Sequence, residues 1–164
     1  MHIFLAKLWR LLRGTPQWYI LWFAHDKFVI GVSGVILNEH NQILLLRHRF
    51  WRPGSWGLPS GYANRKEKLE DTLRREVHEE TGYEIQVTRF LRMVSGYRLR
   101  LEVSYAGSLN GGTLQLDPKE VIEARFFDRH TLPVGLLPSH REIIALADPE
   151  APCERRGEDQ ICAL

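Results

Sequence analysis

Hydrophobic and polar positions change period several times along this chain, and each change predicts an element. Residues 28–37 (FVIGVSGVIL) are nearly unbroken in β-branched and aliphatic side chains and predict a buried strand. Asn38 to Asn41 supply turn chemistry, and Gln42–Arg49 returns as a second strand, completing a hairpin. Residues 50–60 (FWRPGSWGLPS) are punctuated by Pro53, Gly54, Gly57 and Pro59 and predict a loop. A helix follows from about Lys68 to Thr81, stopped by Gly82.

Beyond it, Ile85–Ser95 and Tyr97–Leu109 predict two strands joined at Gly96. In the second, Leu99, Leu101 and Val103 alternate with Arg98, Arg100 and Glu102, the pattern of a half-exposed strand. Asn110-Gly-Gly112 reads as a turn, Val121–Asp128 as a strand, and Ser139–Ala147 as a closing helix with Ser139 as its N-cap. Strands on both sides of a central helix, with a second helix late in the chain, give a mixed α/β layered fold. The periodic part is one domain, residues 28–147. Ahead of it, residues 3–12 form an amphipathic basic helix and residues 17–24 (QWYILWFA) an extended apolar segment packed on the domain. Behind it, residues 148–164 are a polar, disordered tail.

Composition narrows the picture. The net charge of +2 leaves no strong electrostatic footprint for nucleic acid, so no nucleic-acid partner is expected. Neither N-terminal apolar piece reaches the roughly 18 uninterrupted residues of a membrane span. Peripheral membrane contact through residues 1–24 and a homodimer interface both stay open. The two cysteines, Cys153 and Cys162, both fall in the tail, so no disulfide framework is expected and a cytoplasmic setting follows.

The central helix carries the chemistry. Leu69, Leu73 and Val77 form its apolar stripe. At about 100° per residue, Glu80 projects about 20° from Leu73, Glu76 about 60° and Glu79 about 120°, all on one side. Glu80 therefore points almost into the core, where a carboxylate without a partner is strongly disfavoured. A divalent cation resolves the conflict by accepting several carboxylate oxygens at once. The alternative is a solvated acidic face neutralised by an Arg75–Glu79 pair.

Gly61, five residues, Glu67, seven residues, Arg75-Glu76-Val77, one residue, Glu79-Glu80, one residue, then Gly82-Tyr83 is a spacing that resembles the signature of the Nudix hydrolase family. Every anchor is present except the last, where an aliphatic residue is usual and Tyr83 stands. Trp56-Gly-Leu-Pro59 and Glu120–Phe127 resemble the family's flanking segments, so the likeness covers about residues 28–147. It implies an α/β/α sandwich with a mixed sheet, divalent metal held by a loop–helix–loop, and hydrolysis of a pyrophosphate bond in a nucleoside diphosphate linked to another group. A non-catalytic nucleotide-binding or scaffold domain is the alternative.

Carried over position by position, Glu76, Glu79 and Glu80 resemble the metal-binding glutamates, with Glu76 or Glu79 as general base. Ser60 stands where a backbone carbonyl serves as ligand, and Glu120 where a further ligand or base often sits. Arg75 resembles the arginine that holds the glutamates and pairs with Glu67, while Gly61 and Gly82 shape the flanking loops. Asn64 and Lys66 replace a common Glu and Gly. Hard oxygen ligands favour Mg²⁺, with Mn²⁺ as the alternative. For the small nucleotide substrate, Arg47, Arg49 and Arg52, with His48, are candidates to meet phosphates, and Trp51, Trp56 and Phe127 to stack on a base. Leu99 stands where ADP-ribose hydrolases carry proline, so the substrate stays open.

Overall fold

The computed structural model describes residues 9–10 and 14–148. The tail beyond Asp148 with both cysteines, and all of the expected basic helix except Trp9 and Arg10, lie outside the described residues. The elements run α1 (Thr15–Ala24), β1 (Val29–Leu37), β2 (Ile43–His48), β3 (Ser60–Tyr62), α2 (Leu69–Thr81), β4 (Tyr83–Val94), β5 (Arg100–Gly112), β6 (Val121–Phe127) and α3 (Pro138–Leu146).

The strands form one mixed sheet in the order β4-β5-β1-β2-β6. β1 and β5 run parallel from Val29 opposite Arg100 to Leu37 opposite Ser108, and the other pairings are antiparallel. The expected hairpin closes through Asn38, whose Oδ1 accepts the amides of His40 (3.0 Å) and Gln42 (2.9 Å). The paired strands then diverge. β1 meets β2 at Leu37 opposite Ile43, whereas its first half pairs with β3, Gly31 opposite Tyr62 and Ser33 opposite Ser60. The short strand β3 thus fills the split and delivers Ser60 and Gly61 to the front of α2.

Two apolar layers cover the sheet. On one face, Leu73 and Val77 of α2 bury against Val32, Ile36, Leu44, Leu46 and Val103. On the other, Ile143 and Ile144 of α3 bury with Val35, Ile43, Leu45 and Leu58. The result is the expected α/β/α sandwich. Alternation along β2 decides which residue serves which layer, a point that matters for His48 below.

Several local expectations change. β3 lies inside a segment expected to be a loop: three residues beside glycine and proline carry no readable period. Asn110-Gly-Gly112 is not a turn but the end of β5, with Gly112 opposite Tyr83 and Gly111 opposite Glu84. A side chain at Gly112 would collide with the Gly82 carbonyl, which is why glycine ends the ladder. Ser139 does not cap α3; Leu137 holds that position and proline occupies the first turn, where its missing N–H costs nothing.

The segment expected to be extended and packed is the helix α1, with Pro16 in its first turn and no buried residue. A helix satisfies its backbone within itself, whereas an extended segment needs a strand to pair with. Among the described residues no helix is long and apolar enough to cross a membrane.

Candidate metal and catalytic site

The amphipathic spacing of α2 places its acids as a graded series. Leu73 and Val77 are fully buried, Glu80 is only 4% exposed, Glu76 is partly buried, and Glu79 faces outward. Gly82 ends the helix in the left-handed conformation, φ 72°. The loop between β5 and β6 covers the helix end, with the amide of Gln115 donating to the Thr81 carbonyl (2.8 Å) and that of Asp117 to the Glu80 carbonyl (3.3 Å).

Arg75 organises the exposed side of the cluster. Its Nε and Nη2 donate to the two oxygens of Glu67 (2.8 and 3.1 Å). Its Nη1 reaches both Glu76 (2.8 Å) and Glu79 (3.0 Å), and Nη2 also binds the Tyr62 carbonyl (3.0 Å). Glu67 further accepts the Thr72 hydroxyl and the Asn64 amide, each at 2.9 Å. The Arg75 guanidinium and then the Asn64 amide hold the Glu67 carboxyl down to about 2. The Arg75–Glu79 pair envisaged for a purely solvated face does exist. It engages one oxygen each of Glu79 and Glu76 and leaves Glu80 untouched.

Glu80 is the conflict point. Its Oε2 is buried and has no hydrogen-bond partner. Burial, and next the charges of Glu76, Glu120 and Glu79, push its carboxyl up to about 9. Burial also raises Glu76, against the pull of Arg75. His48 Nε2 lies 3.6 Å from Glu80 Oε1 and 3.5 Å from Glu120 Oε2. Ligand-type atoms of these three residues fall within 4.8 Å of one another. A buried orphan oxygen among converging acids fits a divalent cation, which would bind the free oxygens and remove the repulsion.

Two concavities meet at these acids. A cavity of about 630 Å³ is lined on its inner side by His48, Ser60, Gly61, Glu76 and Glu120. Its lining also includes Phe50, Trp51, Tyr62, Tyr97, Arg92, Arg100, Glu102 and His140. A smaller depression, sharing Arg75, Glu76 and Glu120 with the first, is lined also by Glu79, Glu80 and Asp117. Ser60 of β3, Glu76, Glu79 and Glu80 of α2, and Glu120 of the loop before β6 thus line two concavities that share Glu76 and Glu120.

Of the expected substrate residues only His48 and Trp51 line the cavity; Arg52 is outside it, as are the four described next. Trp51 lines the cavity, its ring 5.3 Å from that of His48. Arg47, Arg49, Trp56 and Phe127 are not among the lining residues. Arg47 shares the α3-facing alternation of Ile43 and Leu45, pairs with Glu123 (3.1 Å) and lies over Trp56 at 5.8 Å. Trp56 packs edge-on against Phe127, 4.9 Å between centroids. Arg49 binds the Pro118 carbonyl through Nε and the Glu120 carbonyl through its amide, both at 2.7 Å, and so ties down the loop that carries Glu120. The positions that sequence reasoning passed over are Tyr62, Arg92, Arg100 and Glu102, and the place of His48 between two acids. For His48 the signal was present: strand alternation puts it with Leu44 and Leu46, facing α2.

Known proteins agree with this architecture. Residues 27–147 match the model of the NUDIX domain. Nudix hydrolase 8 of Arabidopsis thaliana is 31% identical over 84 residues, 49% of this chain and 23% of that protein. The NAD-capped RNA hydrolase NudC of Vibrio parahaemolyticus is 30% identical over 100 residues, 60% of this chain and 38% of that one. The chain thus matches well under half the length of either relative. The second is by name a hydrolase of capped RNA, which does not fit the expectation that nucleic acid plays no part. Among solved structures, an ADP-ribose pyrophosphatase from Streptococcus suis 89-1591 superposes with a TM-score of 0.61 at 25% identity, covering 72% of this chain and 87% of that one. With the family model spanning most of its length, the chain belongs to the NUDIX domain family.

Proposed function

We propose that this protein hydrolyses the pyrophosphate linkage of a small nucleoside diphosphate derivative with the help of Mg²⁺ or Mn²⁺. The observation that carries the proposal is the buried Glu80 carboxylate, whose Oε2 has no hydrogen-bond partner and which is grouped with His48 and Glu120 beside a cavity of small-molecule size. Glu80, Glu76, Glu79 and Glu120, with the Ser60 carbonyl, would hold the metal. Bound there, a divalent ion supplies charge neutralisation at the phosphates and lowers the pKa of water.

The chain's own groups do the rest. Arg75 fixes Glu76 and Glu79 while leaving each one free oxygen. Glu76 is favoured over Glu79 as general base, because it lines the cavity, and burial raises its carboxyl above the ordinary value against the pull of Arg75. Arg92 and Arg100 offer cations to the phosphates. Trp51, Tyr62 and Tyr97 offer rings on which a base or a second ring can stack. An ADP-ribose-like compound, a dinucleotide or a nucleoside triphosphate fits this description, and so does the capped end of an RNA.

The test is a screen of ADP-ribose, NADH, diadenosine tetraphosphate, coenzyme A and oxidised nucleoside triphosphates, with products identified by mass spectrometry. Hydrolysis in ¹⁸O-labelled water should place the label on one product phosphate, require added Mg²⁺ or Mn²⁺, and vanish in Glu80→Gln. Turnover that persists in excess chelator, or no turnover of any of these with metal present, rejects the reading.

A further inference from the structure

The helix α1 has no place in the chemistry above, yet it is strongly apolar and exposed. Its ten residues (TPQWYILWFA) include none that is buried. Trp18 is 73% exposed, Phe23 76%, and Tyr19, Trp22 and Ile20 are exposed as well. The apolar exposure continues past the helix into Phe28 and Val29, and Val29 bonds the carbonyl of the equally exposed Leu99 (2.8 Å). A helix apolar around its whole circumference is found buried in protein or in lipid, and here the domain does not bury it.

Charge decides between the two surroundings. Residues 1–28 hold Lys7, Arg10, Arg13 and Lys27 against the single acid Asp26, a local charge of +3. The whole chain carries +2, so everything after residue 28 is net −1. The same 28 residues contain seven of the seventeen aromatic side chains, among them three of the five tryptophans. Tryptophan, tyrosine and basic residues together around a short apolar helix are the composition of the lipid headgroup boundary, whereas protein interfaces are depleted in lysine. Lys27 already lies over the Trp22 ring, 4.6 Å from its centroid, so that cation and aromatic reach the same surface.

Size agrees. Ten helical residues extend about 15 Å, half the hydrocarbon thickness of a bilayer, so α1 can enter one leaflet and cannot span both.

We propose that α1 docks this protein on an anionic phospholipid surface, its rings entering the headgroup–acyl boundary and the flanking basic residues pairing with lipid phosphates. Only residues 25–28 join α1 to β1. Four residues reach at most about 14 Å, so the cavity, lined at Gly31 near the start of β1, is held close to that surface.

The test is flotation of the full chain with vesicles of phosphatidylcholine alone and of phosphatidylcholine mixed with phosphatidylserine, at low and high salt. Binding to the mixed vesicles should exceed binding to the neutral ones and weaken with salt. The Trp18→Ser, Trp22→Ser, Phe23→Ser variant should lose about tenfold or more of that binding while melting at the parent temperature, since α1 contributes no buried residue. Absence of binding to the anionic vesicles at low salt overturns the proposal, as does undiminished binding by the triple variant. A dimer in sedimentation equilibrium that the triple substitution abolishes, with no vesicle binding, assigns the helix to a second copy of the chain instead. None of these outcomes depends on turnover, so the hydrolase reading stands or falls separately.

Discussion

The carboxylate of Glu76 occupies the space that a Cβ on Gly61 would need. The glycine at the start of the signature is thus matched to the glutamate fifteen residues on, through contact and not through backbone strain.

Gly61→Ala makes this relationship measurable. The colliding group is the end of a flexible side chain, so it can swing away at small cost to the fold. The site, however, loses its proposed base or ligand from the place that Arg75 fixes. Turnover should fall by about 100-fold, the scale of an ångström-sized misplacement, while the melting temperature moves by only a few degrees. Parent-like turnover in the alanine variant would show that the contact is dispensable.

Glu80 predicts an unusual pH dependence in metal-free protein. Its carboxyl is raised to about 9 in the fold, against an ordinary value of 4.5. Between these values the unfolded chain has released the proton that the folded chain still holds. Stability in chelator is therefore full below the lower value and declines as pH rises across the window. Thermal melts should show the decline, Glu80→Gln should flatten it, and added Mg²⁺ should stabilise the parent more at high pH, where the carboxylate is free to bind.

His140 acts in the opposite direction. Its Nδ1 accepts the Leu58 amide (2.8 Å), and burial, with Arg92 nearby, pushes it down to about 4 from an ordinary 6.5. In that interval the unfolded chain takes up a proton that the folded one refuses, so stability falls as pH falls, by up to about 3 kcal/mol. His140→Asn keeps an acceptor near Nδ1 and cannot titrate. Its unfolding free energy should be nearly level from pH 6.5 to 4, apart from the carboxylates it shares with the parent.

Lys66 stands where the family commonly has glycine, and its φ of 68° lies in the left-handed region. The position needs glycine's freedom, and lysine strains it. Lys66→Gly should stabilise the protein by about 1 kcal/mol in chemical denaturation. An equal or lower midpoint would mean that the Lys66 side chain makes compensating contacts.

How much of this could be read in advance follows from where each signal resides. The burial of Glu80 was legible because helical period alone sets it beside Leu73 and Val77. Arg75–Glu67 was legible from the signature. The face of Arg47 and His48 was also encoded, since Leu44 and Leu46 point one way and Ile43 and Leu45 the other, but grouping the basic residues by sequence neighbourhood hid it. Tyr62 and Arg100 come to one cavity only through the pairing of β1 with both β3 and β5, which no local pattern records. The helical state of α1 was masked because tryptophan, tyrosine and isoleucine suit strands as well.

The loop from Thr113 to Glu120 is sewn to the last turn of α2 by the amides of Gln115 and Asp117. That stitching makes the distance from Glu80 to Glu120 a property of loop length. Segments grafted between β5 and β6 would have to keep both amides in register or detune the proposed ion site, so length variation is better placed at the β4–β5 tip around Gly96.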